Sequence, residues 1–185
     1  MKTNLKTYII LLIMTAIGLT SCDKSTLELM YTDQETKIEK YTASFVEKNN
    51  IEPEAVSRQG GANKITITEG SGEELVDGGL VSLYIAGYVF NGNIAPKDLF
   101  FTNHKASAEE AKWDTTTGDY DIITMTLDKK KLIKGLYDGL YGIKAGEECL
   151  LLFSGKYGFG KKKNSIIPGN SALAYKVWVE SISNE

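Results

Sequence analysis

The chain has 185 residues, of which 42% are hydrophobic, 10% aromatic and 24% charged, with only 3 prolines. This composition excludes the disordered and fibrous classes, and the length excludes a large multidomain enzyme, leaving one well-filled core with a small appendage. The formal net charge of −3 becomes more negative once Lys2 and Lys6 are removed with a leader; without clustered positive charge, no nucleic-acid partner is expected.

Lys2 and Lys6 precede an apolar run from Tyr8 to Leu19 and then Thr20, Ser21 and Cys22. A charged start, a short apolar stretch and small residues predict a signal peptide over 1–21. The apolar run is too short to cross a hydrocarbon core, which needs about 20 residues. Leu19-Thr20-Ser21-Cys22 resembles a bacterial lipobox, which implies a lipidated Cys22 as the first mature residue and a lipid anchor in the membrane. An ordinary secretory signal with a chance cysteine and an N-terminal membrane anchor are the alternatives. Asp23 and Lys24 form no acidic cluster of the kind tied to surface export, so the expected place is the outer membrane, facing the periplasm.

The second segment, 22–62, reads as an extended tether through about Leu29 and then an amphipathic helix. Thr32-Asp33-Gln34-Glu35 has the pattern of a capping box, and Ile38, Tyr41 and Phe45 follow at helical spacing, which predicts a helix from about Asp33 to Lys48. Such a helix can serve dimerisation, partner binding or as a strut on its own domain, the last being the commonest outcome. Trp178, on the opposite face of its strand from Tyr175 and Val177, is expected beneath it.

The remainder, 63–185, reads as one domain. Asn63–Gly70 alternates as a strand, and Leu80–Phe90 is a second one with Val81, Leu83 and Ile85 on one face. Asn91-Gly92 signals a turn, and Ala95–Asp119 is a long polar connection with a short helix at Ser107–Lys112. Strand alternation resumes over Tyr120–Leu127. Leu132, Leu136, Leu140 and Ile143 mark one face of a short helix, in which Gly135 and Gly139, four apart, predict close packing on a sheet. Cys149–Phe153 is a strand, with Cys149 expected as a buried small hydrophobe rather than a nucleophile. A glycine- and lysine-rich loop then leads into a last strand with Leu173, Tyr175, Val177 and Val179 on one face. This order predicts an α+β fold, an antiparallel sheet bent around its helix. His104 is the single histidine, and with no CxxC or HExxH there is no metal cluster and no cofactor signature.

Leu132-Ile133-Lys134-Gly135-Leu136-Tyr137-Asp138-Gly139, then Gly142-Ile143-Lys144-Ala145-Gly146-Glu147, Tyr157-Gly158-Phe159-Gly160, Ile166-Ile167-Pro168 and Leu173–Val177 together resemble the FKBP-type peptidyl-prolyl isomerases, in particular their lipoprotein members from gut Bacteroidetes. The resemblance covers about residues 74 to 183 and implies an antiparallel sheet wrapped around a short helix, here with an added N-terminal helix. It also implies an apolar cleft that receives the prolyl ring of proline-containing polypeptides. By position, Ile123 and Met125 match the wall strand, and Leu132 and Ile133 the pocket entrance, where the Ile133 N–H meets the peptide. Leu136 matches the floor, Phe159 the aromatic that is usually a tyrosine, Ile166 and Ile167 the loop over the cleft, Tyr175 the rear aromatic and Phe101 the cleft phenylalanine. Each of these can equally be a core residue.

The implied activity is cis-trans isomerisation of X-Pro bonds in exported proteins, without metal or covalent intermediate. The alternative is a catalytically weak peptide-binding or envelope-assembly lipoprotein. Three departures from the family pattern bear on that choice: Thr102 follows Phe101 where the family has aspartate, Phe159 lacks a hydroxyl, and Ile85 stands near the usual early-strand tyrosine if Gly87 sets the register. A slip of one residue would put Tyr84 there instead.

Overall fold

The computed structural model describes residues 5–162 and 166–184, with side chains from Lys24 onward. Among the described residues the α-helices and strands are, in chain order, α1 (Leu5–Asn49), β1 (Val56–Gln59), β2 (Ala62–Thr68), β3 (Leu80–Val89), β4 (Leu99–Thr102), α2 (Lys105–Glu110), β5 (Ile123–Thr126), α3 (Lys134–Leu140), β6 (Glu148–Phe153) and β7 (Leu173–Ser183). The chain divides into two units, Met1–Asp33 and Gln34–Glu185. The first is helical from Leu5 on, which corrects the expectation of an extended tether. The helix does not start at Thr32: that hydroxyl donates to the Glu28 carbonyl at 3.0 Å, a mid-helix back-bond, so the Thr32–Glu35 pattern is not a cap. The Cys22 side chain, on which the lipidation reading rests, lies outside the described residues. Among those described, no helix is long and apolar enough to cross a membrane.

In the second unit the strands form one antiparallel sheet in the order β1-β2-β6-β7-β3-β4, with β5 also paired to β3. β3 and β7 run together from Leu80↔Ser183 to Val89↔Leu173. The other edge of β3 is shared: β5 takes Leu80–Leu83 and β4 takes Ala86–Tyr88. Asn103 closes the gap between them. Its Oδ1 accepts the Ile85 N–H at 2.7 Å, and its Nδ2 donates to the Leu83 and Asp121 carbonyls at 3.0 Å each. One buried side chain thus satisfies backbone groups that a strand would otherwise pair.

Alternation sorts the side chains between two faces. Val81, Leu83, Ile85, Leu151, Phe153, Leu173, Tyr175, Val177 and Val179 turn inward with Leu136 and Leu140 of α3 to make the main core. On the outer face, Ile38 of α1, fully buried, meets Ile65, Leu150, Leu152 and Ala174, with Tyr41 and Phe45 packed alongside. Of the three roles open to this helix, the strut is therefore realised within the Gln34–Glu185 unit. It does not cover Trp178: that ring lies against Ala86, Tyr88 and Leu99 and stacks on His104 at 4.0 Å between centroids.

Candidate functional site

α3 sits directly on β6 because two glycines remove the side chains that would hold it off. A Cβ at Gly135 would press on the Phe153 ring, 2.2 Å from its Cγ, and one at Gly139 would stand 2.8 Å from a Leu151 methyl. The predicted close packing is thus present. It brings the start of α3 to the inner face of the sheet, where Met125, Leu132 and Ile133 are half-buried against the same apolar cluster that holds Leu136, Ile167 and Tyr175. Tyr175 stacks on Phe153 with centroids 5.8 Å apart and meets Phe100 edge-on, also at 5.8 Å. Burial pushes the Tyr175 hydroxyl up from the usual tyrosine range. Gly87 makes room for this pair, since a Cβ there would lie 2.7 Å from Phe100 and 2.8 Å from Tyr175.

The phenylalanine on the inner face is therefore Phe100, not Phe101. Phe101 pairs with Gly87 in β4 but is 44% exposed. A register shift between Gly87 and Tyr88 places Leu99, rather than the next residue, opposite Tyr88, and this bulge turns Phe100 inward. Thr102 does not stand in the cluster either: its Oγ1 donates to the Ile85 carbonyl at 2.9 Å and accepts the His104 N–H at 2.9 Å. Ile85 faces the core, 2% exposed, while the Tyr84 ring meets His104 on the outer side. Of the two residues offered for the place of the early-strand tyrosine, Ile85 is the one that faces the core.

Of the remaining expected site residues, Ile123 is half-buried opposite Leu83. Phe159 and Ile166 are exposed at 37% and 62%, whereas Ile167 is 3% exposed and part of the core. Residues 163–165, between Phe159 and Ile166, lie outside the description. The Ile133 N–H, at the residue that opens α3 with φ −63° and ψ 145°, has no acceptor among the described residues. The first turn of α3 is tied to the loop, because the Gly135 N–H donates to the Tyr157 carbonyl at 2.8 Å. The candidate site thus joins an apolar cluster to a backbone N–H, at the start of α3, that has no acceptor among the described residues.

Neither group usually suspected of proton or nucleophile chemistry is exposed at this site. Cys149 is buried in β6, and burial raises its thiol above the usual range, foremost over the nearby Glu147 charge. His104 lies on the other face of the sheet, with its imidazole pushed below its ordinary range by burial first and Lys176 second.

Residues 77–180 match the family described as FKBP-type peptidyl-prolyl cis-trans isomerase. The chain is 26% identical over 117 residues to FK506-binding protein 1 of Aspergillus oryzae, covering 63% of this chain and 94% of that one. It is 28% identical over 123 residues to FK506-binding protein 1B of Neurospora crassa, covering 66% and 98%. In three dimensions it is similar to FkpA from Escherichia coli, with a TM-score of 0.57, 20% identity and coverage of 98% of this chain and 74% of that one. The three FKBP domains of wheat FKBP73 match with a TM-score of 0.52 at 20% identity, over 70% of this chain and 49% of that one. At that identity the structural likeness speaks for the fold, an α+β antiparallel sheet around a short helix with a helix added before it. The sequence match, which spans more than half of the chain and contains both the glycine-seated α3 and the inner-face aromatics, carries the conclusion that the protein belongs to the FKBP-type peptidyl-prolyl cis-trans isomerase family.

Proposed function

We propose that the protein accelerates rotation about X-Pro bonds of exported polypeptides in the cleft between α3 and the inner face of the sheet, with no metal and no covalent intermediate. The observation that carries this reading is the pairing of an apolar cluster, Met125, Leu136, Ile167 and Tyr175, with the Ile133 N–H, which has no acceptor among the described residues. The planar amide resists rotation by about 18–20 kcal/mol because resonance gives its C–N bond double-bond character and separates charge. A dry apolar seat for the ring disfavours that charge separation and so favours the twisted amide, while the Ile133 N–H fixes the neighbouring carbonyl. Phe159 and Ile166 then act as the outer wall of the cleft. Leu19-Thr20-Ser21-Cys22 supports a further part of the proposal, attachment through lipid on Cys22 in the outer membrane facing the periplasm.

A second reading, a module that holds proline-containing segments with little turnover, is favoured by the position of Thr102 outside the cluster and by the missing hydroxyl at Phe159. Cis-to-trans isomerisation of a Leu-Pro tetrapeptide by the full chain separates the two. Catalysis predicts clear acceleration over the uncatalysed rate, whose time constant is about tens of seconds. It also predicts a fall in kcat/KM of about tenfold in both Phe159→Ala and Ile133→Ala, the scale on which loss of transition-state contacts acts. Folded protein that binds the peptide without acceleration would favour the holding module.

A further inference from the structure

We infer that Gln34 of α1 is a positioning residue for the cleft: its side-chain amide staples together the two stems of the loop between β6 and β7, which carries Phe159 and Ile167. This rests on the reading of the cleft as the prolyl site. The Gln34 Oε1 accepts the Gly155 N–H at 2.8 Å, and its Nε2 donates to the Asn170 carbonyl at 2.8 Å. Only a terminus with both a donor and an acceptor can make this bridge, and the two partners fix which way the amide points. Beside it the Ser154 hydroxyl donates to Glu35 Oε1 at 3.1 Å, so consecutive residues of the helix hold consecutive residues of the stem.

The stems are already pressed together. Gly155 is buried, and a Cβ there would overlap the Asn170 carbonyl. Asn170 itself holds a left-handed φ of +59°, a conformation that costs most residues energy and that asparagine tolerates. From these two anchor points the restraint passes to the cleft by two routes. The Asn170 N–H donates to the Gly160 carbonyl at 2.6 Å, next to Phe159. On the other stem, two residues past Gly155, the Tyr157 carbonyl accepts the Gly135 N–H at 2.8 Å, in the first turn of α3 behind Ile133. Gln34 lies outside the 77–180 span matched by the family, so the helix that precedes that span supplies a part that sets the geometry of its cleft.

The test compares the wild-type full chain with Gln34→Met, nearly isosteric and able to make neither bond, and Gln34→Glu, which keeps only the acceptor for Gly155. Amide exchange at Gly155 and in β6 is read beside kcat/KM on the Leu-Pro tetrapeptide. Gln34→Met should exchange faster at Gly155 with β6 unchanged and lose about tenfold in kcat/KM, since small displacements of a binding wall act on that scale. Gln34→Glu, whose second oxygen faces the Asn170 carbonyl with no hydrogen to donate, should lose at least as much. Faster Gly155 exchange with kcat/KM unchanged in both variants would overturn the inference, because the bridge would then serve stability alone; unchanged exchange would overturn it as well. If Gln34→Met does not fold, Gln34→Glu decides by the same two readouts. If the wild type binds the peptide without isomerising it, the isomerase reading fails separately and the affinity of the same tetrapeptide decides: weaker binding in Gln34→Met supports the staple, and equal or absent binding overturns it.

Discussion

Thr42 lies on the buried side of α1, 6% exposed, and its hydroxyl has no hydrogen-bond partner among the described residues. A mid-helix threonine ordinarily bonds back to the carbonyl four residues before it, as Thr32 does to Glu28. Desolvating a hydroxyl without compensation costs about 1–3 kcal/mol. Thr42→Val keeps the shape and removes that group, so it should raise stability by about 1 kcal/mol. In urea denaturation this would appear as a higher midpoint with an unchanged slope; a lower midpoint would show that the hydroxyl is bonded after all. The same scale marks the limit of what the sequence discloses about the site. That Leu132, Ile133, Leu136, Ile167 and Tyr175 gather in one apolar cluster was legible, because they sit in unbroken motifs near α3 and β7. Phe100 was not, because the bulge opposite Gly87 and Tyr88 inverts which of two adjacent phenylalanines points inward, and adjacent identical residues carry no signal of that choice. Asn103 and Gln34 were missed for a related reason: their partners are backbone groups brought near only by the fold.

Among the elements, α3 owes its place to what Gly135 and Gly139 lack. The Phe153 ring beneath Gly135 is itself fully buried and stacked on Tyr175, so it cannot yield to an added methyl. Below Gly139 the contact is with a flexible leucine side chain. Gly135→Ala should therefore destabilise by about 1–3 kcal/mol through overpacking, even though alanine favours the helix by about 1 kcal/mol. Gly139→Ala should cost clearly less. Chemical denaturation of the two variants side by side gives the order, and equal effects would mean that α3 shifts as a rigid body instead of straining locally. β2, β3 and β7 were readable from alternating apolar residues, and β6 from an unbroken apolar run, Cys149–Phe153, that is buried throughout. β1 was not, since Val56-Ser57-Arg58-Gln59 is half-buried at its first residue and exposed at the other three, leaving no alternation to detect. β4 was hidden because it is only four residues long with Phe-Phe at its centre. The capping pattern at Thr32 misplaced the start of α1 because a cap is a local preference, which upstream residues able to continue the helix override.

At the scale of the whole Gln34–Glu185 unit, the sheet hides its outer face under two separate covers. α1 lies over Ile65, Leu150, Leu152 and Ala174, while Trp178 lies with Tyr88 and Leu99. A chain that begins at Val56 loses the first. Truncating one fully buried isoleucine such as Ile38 to alanine already costs about 2–5 kcal/mol, and Tyr41 and Phe45 leave with it, so the shorter chain should lose at least about 3 kcal/mol. The uncovered leucines would also form an exposed apolar patch prone to self-association, detectable as a mass in light scattering that rises with concentration. Because this chain would lack Gln34 as well, its stability and its isomerase rate should fall together, whereas Ile38→Ala, which keeps Gln34, should lower stability with the larger part of the rate retained below the transition. A chain from Val56 that stays as stable as the longer one would mean that α1 rests on the sheet without supporting it.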